Sequence, residues 1–261
     1  MTMIAPLTIA FLLSHIPAAA ALLPTHKMVV DAAWAAVGGL SKPSKMPGYA
    51  ISTPASACNV GSRLRKVAGS VCASCYAHKG RYVMPNVAKA LERRLDALPT
   101  DEHDHPAWEA WVANMVTLVK HFCGDGALPV PAKGSRSPRR KVVPFFRWHD
   151  SGDIQSVAHL NAILEVARRT PEVKHWIPTR EVKVVRSINP AHIPTNLIIR
   201  ISAMSVGKPA PRLPGKQIQT STVGVESVTR RQCMAYTRGG VCGRCRKCWS
   251  TKVGNVNYPL H

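Results

Sequence analysis

The chain has 261 residues, enough for one sizeable hydrophobic core or two small ones. Its hydrophobic fraction of 46% excludes wholesale disorder. Lysine and arginine number 35 against 14 aspartate and glutamate residues, and the formal net charge of +21 favours a polyanionic partner such as nucleic acid. Thiolates bound to a metal would offset part of this charge.

Residues 1–40 are predicted to be an apolar N-terminal extension. No lysine or arginine precedes Lys27, so the positively charged start of a signal peptide is missing. Ser14, His15 and Pro17 interrupt the apolar run that a membrane span would need. We therefore expect no membrane contact. Clustered cysteines in basic surroundings favour the cytoplasm of a bacterium.

Residues 41–261 are predicted to form one α/β domain. Its first part, 41–85, is rich in Pro, Gly and Ser and is expected to wrap around whatever its cysteines hold. Helices are predicted over 86–98 and 106–122 from apolar residues at helical spacing. The segment 124–141, GDGALPVPAKGSRSPRRK, has no apolar period and is expected to be an exposed basic loop, either a linker or a phosphate contact.

Strands and a helix alternate in the second half of the chain. The stretch VVPFFRWHDSGD predicts a strand that runs into a polar turn, IQSVAHLNAILEVARR an amphipathic helix, and KHWIPTRE and NLIIRISAMS two further strands. Strand–helix–strand order favours parallel pairing. The expected fold is a partial, TIM-like barrel or an open parallel sheet, with cysteine-rich loops at both ends of the chain.

Polar residues follow each of these strands, where α/β proteins collect their chemistry. His149, Asp150 and Asp153 are acid–base or ligand candidates, hence candidate catalytic residues. Arg180 and Ser202 are candidate cofactor-binding residues. Asp153 could equally cap the next helix.

Seven of the eight cysteines fall in two clusters, and Cys123 stands alone as a small buried hydrophobe. Two successive Cys-x-x-Cys steps in CGRCRKC fan three sulfurs around one point, which suits a [4Fe–4S] cluster. Zn²⁺ held by Cys72, Cys75 and two later cysteines is the rival, and disulfides or free thiols are a third possibility. The candidate metal ligands are Cys58, Cys72, Cys75, Cys233, Cys242, Cys245 and Cys248.

The number of ligands bears on function. If the second cluster supplies four ligands, the first supplies only three, and one iron of a cluster held there stays open to a small molecule. Alternatively, one site takes cysteines from both regions. We expect this second arrangement. Three cysteines ahead of βα units also resemble radical S-adenosylmethionine enzymes at the level of fold. Their compact motif is absent, because thirteen residues separate Cys58 from Cys72.

Several motifs together resemble the bacteriophage gene product 88 family, over about residues 45–261. They are GYAISTPASAC, VCASCYAHKGRY, FRWHDSGDI, HWIPTRE, IRISAM, CMAYTRGGVCGRCRKCW and VNYPLH. The resemblance implies a phage protein with an iron–sulfur site and no settled activity. It carries over the seven clustered cysteines as ligands and His149, Asp150 and Asp153 as pocket residues.

The sequence thus supports three hypotheses: a phage [4Fe–4S] protein with a redox or cluster-dependent role on an unknown substrate, a zinc-stapled nucleic-acid-binding protein, and a radical S-adenosylmethionine-like enzyme.

Overall fold

The structure, a computed structural model, describes residues 25–124, 143–224 and 232–260. Within these ranges the chain forms one open, six-stranded sheet in which all strands are parallel and lie in chain order. The strands are β1 (Tyr49–Ile51), β2 (Phe145–Trp148), β3 (Lys174–Thr179), β4 (Leu197–Ser202), β5 (Ile218–Val223) and β6 (Asn255–Tyr258). The predicted parallel α/β sheet is confirmed in its open form; the sheet does not close into a barrel.

The helices are α1 (His26–Ala36), α2 (Asn59–Leu64), α3 (Pro85–Asp96), α4 (His105–Cys123), α5 (Val157–Arg169) and α6 (Val182–Arg186). Side-chain caps set where two of the longest begin: Asp104 accepts from the Ala107 amide before α4, and Ser156 accepts from the His159 amide before α5. Among the described residues, no helix combines the length and apolarity needed to cross a bilayer.

The two faces of the sheet are covered differently. Apolar side chains such as Phe146, Trp148 and Ile199 pack with α1, α4 and α5 in the main hydrophobic core. The opposite face presents Arg147, Trp176 and Arg200, and the cysteine-rich segment near the C-terminus lies over it. The indole of Trp249 in that segment packs edge-on against Trp176. This division places one cysteine cluster on a face of the sheet rather than at its edge.

Most of the predicted helices and strands are confirmed, and the structure contains further ones that were not predicted. The helices predicted over 86–98 and 106–122 correspond to α3 and α4, and the predicted strand–helix–strand unit to β2, α5 and β3. The segment 41–85 is less loop-like than expected, because it contains β1 and α2. In the region 1–40, α1 packs on α4 and buries Val30 and Ala33; residues 1–24 lie outside the described residues, as does 125–142, which carries nearly all of the predicted basic loop.

Two histidines are enclosed in the core. His175 on β3 accepts a hydrogen bond from the Trp148 indole (Nε1 to Nδ1, 3.2 Å), and its Nε2 lies 2.8 Å from the Thr170 hydroxyl. His159 on α5 stacks near Trp108. Burial lowers the pKa of each to about 3. Both rings are therefore neutral in the folded protein at ordinary pH.

These histidines predict acid sensitivity. Their folded pKa values lie below the unfolded value of about 6.5, so between about pH 6.5 and 3 only the unfolded chain binds the two protons. The free energy of unfolding should fall as the pH is lowered through this window, by up to about 1.4 kcal/mol per pH unit for each histidine. Chemical denaturation at several pH values would measure the slope. His175→Gln should reduce it by up to one proton and the exposed control His103→Gln should not; equal slopes in the two variants would contradict this account.

Candidate functional site

Arg200 on β4 attaches the C-terminal cysteine segment to the face of the sheet. Its side chain is fully buried, and its guanidinium donates five hydrogen bonds of 2.8–3.0 Å to backbone carbonyl oxygens. One carbonyl is on the neighbouring strand, and the other four are in the segment. The acceptors are Thr220, Lys247, Cys248, Ser250 and Val253.

Four cysteines gather there, and we call them the four-thiol group: Cys233, Cys242, Cys245 and Cys248. Backbone bonds fix two of them to other parts of the chain: the Cys233 amide donates to the Asn257 carbonyl (2.7 Å) and the Cys242 amide to the Lys45 carbonyl (2.9 Å). Burial raises the pKa of Cys242, and Cys233 and Cys245 raise it further. Cys233 has the same effect on Cys248. Charge on Cys233 thus acts on both Cys242 and Cys248, and charge on Cys245 acts on Cys242, which links the four cysteines as one group.

The surroundings of the four-thiol group are cationic. Burial raises the pKa of Cys248 to about 11, opposed by the Tyr258 hydroxyl, 3.2 Å from its sulfur, and by Arg200 and Arg147. Arg147 and Arg246 likewise oppose the rise at Cys242. Nearby cations favour the thiolate, the form that binds metal. The four-thiol group is thus half-buried, and the arginines around it stabilise negative charge on its sulfurs.

Arg147 on β2 is fixed from several sides. Its guanidinium lies 4.7 Å from the centre of a Trp176 ring and donates to the Met46 sulfur. Burial alone lowers the pKa of Arg147, but the acidic groups of Tyr76, Asp150 and others outweigh it, so the net shift is upward. Because Tyr76 directly follows Cys75, Arg147 connects the four-thiol group with the first cysteine cluster.

The first cluster forms a separate three-thiol group, Cys58, Cys72 and Cys75, on the loop after β1. A Cβ at Gly61 would stand 3.5 Å from the Cys58 sulfur and 3.7 Å from the Cys72 sulfur, so both sulfurs flank this glycine. Burial raises the pKa of Cys58 far above its usual range, with contributions from Asp153, Cys75, Cys72 and Glu181. Its surroundings are therefore acidic, unlike those of the four-thiol group.

Two buried carboxyl groups join this loop to the carboxyl edge of the sheet. Asp153, after β2, accepts from the Ile154 and Arg180 amides (2.8 and 2.9 Å). Glu181, after β3, accepts from the Val60 amide of α2 (2.8 Å). Burial raises the pKa of both carboxyl groups. The Arg180 side chain donates to the Ala203 carbonyl and lowers the pKa of Cys72 against the larger effect of burial.

The remaining predicted site residues have different surroundings. Asp150 accepts from the hydroxyls of Ser52 and Tyr82. Ser202 accepts from the Ser221 hydroxyl (3.1 Å) within the sheet. His149 has a positive φ of 55°, unusual for a side chain other than glycine, and within the described residues neither ring nitrogen has a hydrogen-bond partner. Burial holds its pKa well below the usual range.

The clustered donors are thiols, the type of ligand that both metals suggested by the sequence bind. All eight cysteines are free thiols, and Cys123 is buried in the core as expected. In residues 25–124, 143–224 and 232–260, no three side chains among His, Cys, Asp and Glu are placed to hold a metal ion. By chemistry, four clustered thiols match the ligands of a [4Fe–4S] centre. The match between this site and a [4Fe–4S] cluster therefore lies in the type and number of the clustered ligands, not in a preformed metal geometry among the described residues.

A family model described as "Gene product 88" matches residues 33–251. The chain belongs to the gene product 88 family. This confirms the resemblance seen in the motifs and makes the chain a bacteriophage protein. No curated protein and no solved structure matches the chain.

Sequence reasoning missed the residues that organise the site. Arg200, Arg147 and Glu181 are not among the candidate site residues predicted from the sequence. One signal was available: a lone arginine inside the apolar run LIIRIS must be buried with the strand, and a buried guanidinium needs several acceptors. The sequence does not show which groups accept these hydrogen bonds.

Arg200 predicts a measurable dependence of the cysteine segment on β4. Arg200→Leu would remove the guanidinium from five carbonyl groups, of which Lys247 and Ser250 keep a backbone amide donor, so the free energy of unfolding should fall by about 3 kcal/mol or more. Urea denaturation would measure this, and a thiol reagent should react faster with the four-thiol group of the apo-protein. The exposed Arg186→Leu is the control. Unchanged stability and thiol reactivity in Arg200→Leu would contradict the assigned role.

Proposed function

We propose that the chain is an iron–sulfur protein in which Cys233, Cys242, Cys245 and Cys248 hold a [4Fe–4S] cluster. The observation that carries this proposal is the gathering of these four free, half-buried cysteines in one segment over the face of the sheet. Cysteine thiolates are the ligands of such clusters, four to each. The cluster would supply one-electron transfer, and the role is redox or cluster-dependent chemistry on an unknown substrate.

The charges around the four-thiol group support this proposal. A cluster with four thiolate ligands is anionic, and Arg147, Arg200 and Arg246 lie around the sulfurs. Hydrogen bonds and nearby charge are the means by which proteins tune such centres. The Tyr258 hydroxyl at the Cys248 sulfur is one such contact. As a phage protein, the chain would act in the host cytoplasm, where thiols stay reduced.

The alternative is a zinc-stapled nucleic-acid-binding protein. Zn²⁺ with bonds of about 2.3 Å in a tetrahedron needs four sulfurs about 3.8 Å from one another. The sequence suggested Cys72 and Cys75 with two later cysteines, but the structure groups that pair with Cys58. The net charge of +21 supports the nucleic-acid part of this alternative.

The three-thiol group favours a second candidate function, a reaction with S-adenosylmethionine. It lies on the loop after β1, at the carboxyl edge of the parallel sheet, where α/β proteins place their active sites. Three thiol ligands leave one iron of a cluster open. Asp153 and Glu181 beside the thiols complement a cationic ligand, and S-adenosylmethionine carries a sulfonium and an ammonium group.

Metal analysis tests the proposal directly. Protein purified without oxygen should be brown, absorb broadly near about 400 nm, and contain at least about four irons and four sulfides per chain. Cys245→Ser should lose about four irons, whereas Cys123→Ala, which removes a core thiol outside both groups, should lose none. Iron and sulfide assays on the same samples check both.

Two results would overturn the proposal: colourless protein with stoichiometric zinc, or an iron content that Cys245→Ser leaves unchanged. The zinc result would support the alternative. A further loss of iron in Cys72→Ser would show that the three-thiol group also holds a cluster.

The second candidate predicts a specific product. With two electrons from dithionite and one proton from water, the bond between the sulfonium sulfur and C5′ of S-adenosylmethionine is cleaved to give methionine and 5′-deoxyadenosine. Chromatography should detect 5′-deoxyadenosine with the reconstituted protein and at least about tenfold less with Cys72→Ser. Reconstituted Cys123→Ala is the control and should match the unchanged protein. If iron-loaded protein forms no 5′-deoxyadenosine, this candidate is wrong.

A further inference from the structure

A cleft of about 530 Å³ opens at the amino edge of the sheet, opposite the three-thiol group. One wall is formed where strands begin, by Phe145 of β2 and Lys174 of β3. The other wall comes from the cysteine segment, with Arg246, Trp249 and Lys252. Its volume is within the range of about 300–1,000 Å³ that small-molecule sites have, and it suits one nucleotide unit.

The cleft is cationic. Lys174, Arg246 and Lys252 line it, and among the described residues none of the three makes an ion pair. The acidic residue of the lining is Glu172, whose Oε1 lies against Gly124, only 2.5 Å from where a Cβ of that glycine would stand. Three unpaired cations at one cleft call for an anionic ligand.

Aromatic rings lie among these cations. Phe145 is half-buried, with the Arg246 guanidinium 4.9 Å from its ring centre and the Trp249 indole edge-on at 5.3 Å. The Trp249 Nε1 donates to the Phe146 carbonyl (3.0 Å), which fixes the indole in the wall. Aromatic and guanidinium planes beside positive charge are the features with which proteins bind single-stranded nucleic acid.

We propose that this cleft binds single-stranded nucleic acid, with phosphates at Lys174, Arg246 and Lys252 and a base against Phe145. A single strand fits better than a duplex, because only unstacked bases can reach a ring set into a cleft. A strand fits better than a free nucleotide, because the net charge of +21 far exceeds what one nucleotide would balance. The inference does not depend on the proposed cluster, since the cleft is lined by other side chains.

The position of the cleft gives it a connection to the four-thiol group. Arg246 directly follows Cys245, and its Nη1 donates to the Gly243 and Cys245 carbonyls (both 2.7 Å). Trp249 directly follows Cys248. A strand in the cleft would therefore contact the same turns that carry the thiols. Iron content is measured on every sample, so that a loss of binding can be separated from a loss of metal.

The test uses the full chain and a fluorescein-labelled oligothymidylate, with anisotropy as the readout. Lys174→Glu combined with Lys252→Glu should weaken binding at least about 30-fold and lower the slope of log K against log[salt] by at least about one. The matched control is Lys89→Glu combined with Lys120→Glu, which makes the same change in net charge at exposed positions on α3 and α4. It should weaken binding no more than about threefold.

A second variant tests the base contact. Phe145→Leu should weaken binding to oligothymidylate by at least about fivefold, and to an abasic strand of equal length by much less. Four results would overturn the proposal: no binding by the unchanged protein, equal losses in the two double-lysine variants, tighter binding of a duplex, or equal inhibition by thymidine monophosphate and by the unlabelled strand at equal nucleotide concentration.

Discussion

The hydrogen bonds of Arg200 are the constraint on which the arrangement of the site depends. A fully buried guanidinium in the sheet must find acceptors for its N–H groups, and here Nε, Nη1 and Nη2 all donate to backbone carbonyls, five in number, three of them around Nη2. Four of them belong to residues 247–253, so this irregular stretch satisfies its own buried polar groups by contact with β4. An irregular segment can cover a sheet face only if its backbone is satisfied in this way. The position of Cys248, whose carbonyl is one acceptor, therefore follows from a residue 48 positions earlier in the chain.

The order of the strands explains why there are two thiol groups. Each strand pairs in parallel with the next in the chain, and right-handed crossovers then return on the same side of the sheet. The helices accordingly occupy one face, with Phe146 and Trp148, and leave the other face to the C-terminal segment. The loop after β1 meets the carboxyl edge instead, where Asp153 and Glu181 accept amides around it. One thiol group thus lies at an edge and the other on a face, with Arg147 between them.

Sequence patterns were sufficient for the middle of the chain and insufficient at its ends. The apolar runs that became β2, β3 and β4, and the helical spacing in α4 and α5, are strong because these elements are buried. The strands β5 and β6, IQTSTV and NVNY, were missed because their polar side chains bond across the pair, Thr222 to Asn257 for example, and show no apolar run. The cysteine spacing identified the candidate ligands, but it carries no information on which side of a sheet each loop lies. The division into three and four thiols was visible in the sequence, but the position of one group at the edge of the sheet and of the other on its face needed the structure.

The two thiol groups differ most in the charges around them, and this difference bears on what each could do. At the four-thiol group Arg147, Arg200 and Arg246 stabilise negative charge, and an added electron makes an iron–sulfur cluster more negative. At the three-thiol group Asp153 and Glu181 disfavour negative charge, with Arg180 as a partial counterweight. On the proposed function, a cluster at the four-thiol group would have the higher reduction potential of the two. Acidic surroundings and a lower potential suit a site that binds a cationic molecule and gives up an electron, whereas a group among arginines suits one that receives and holds it.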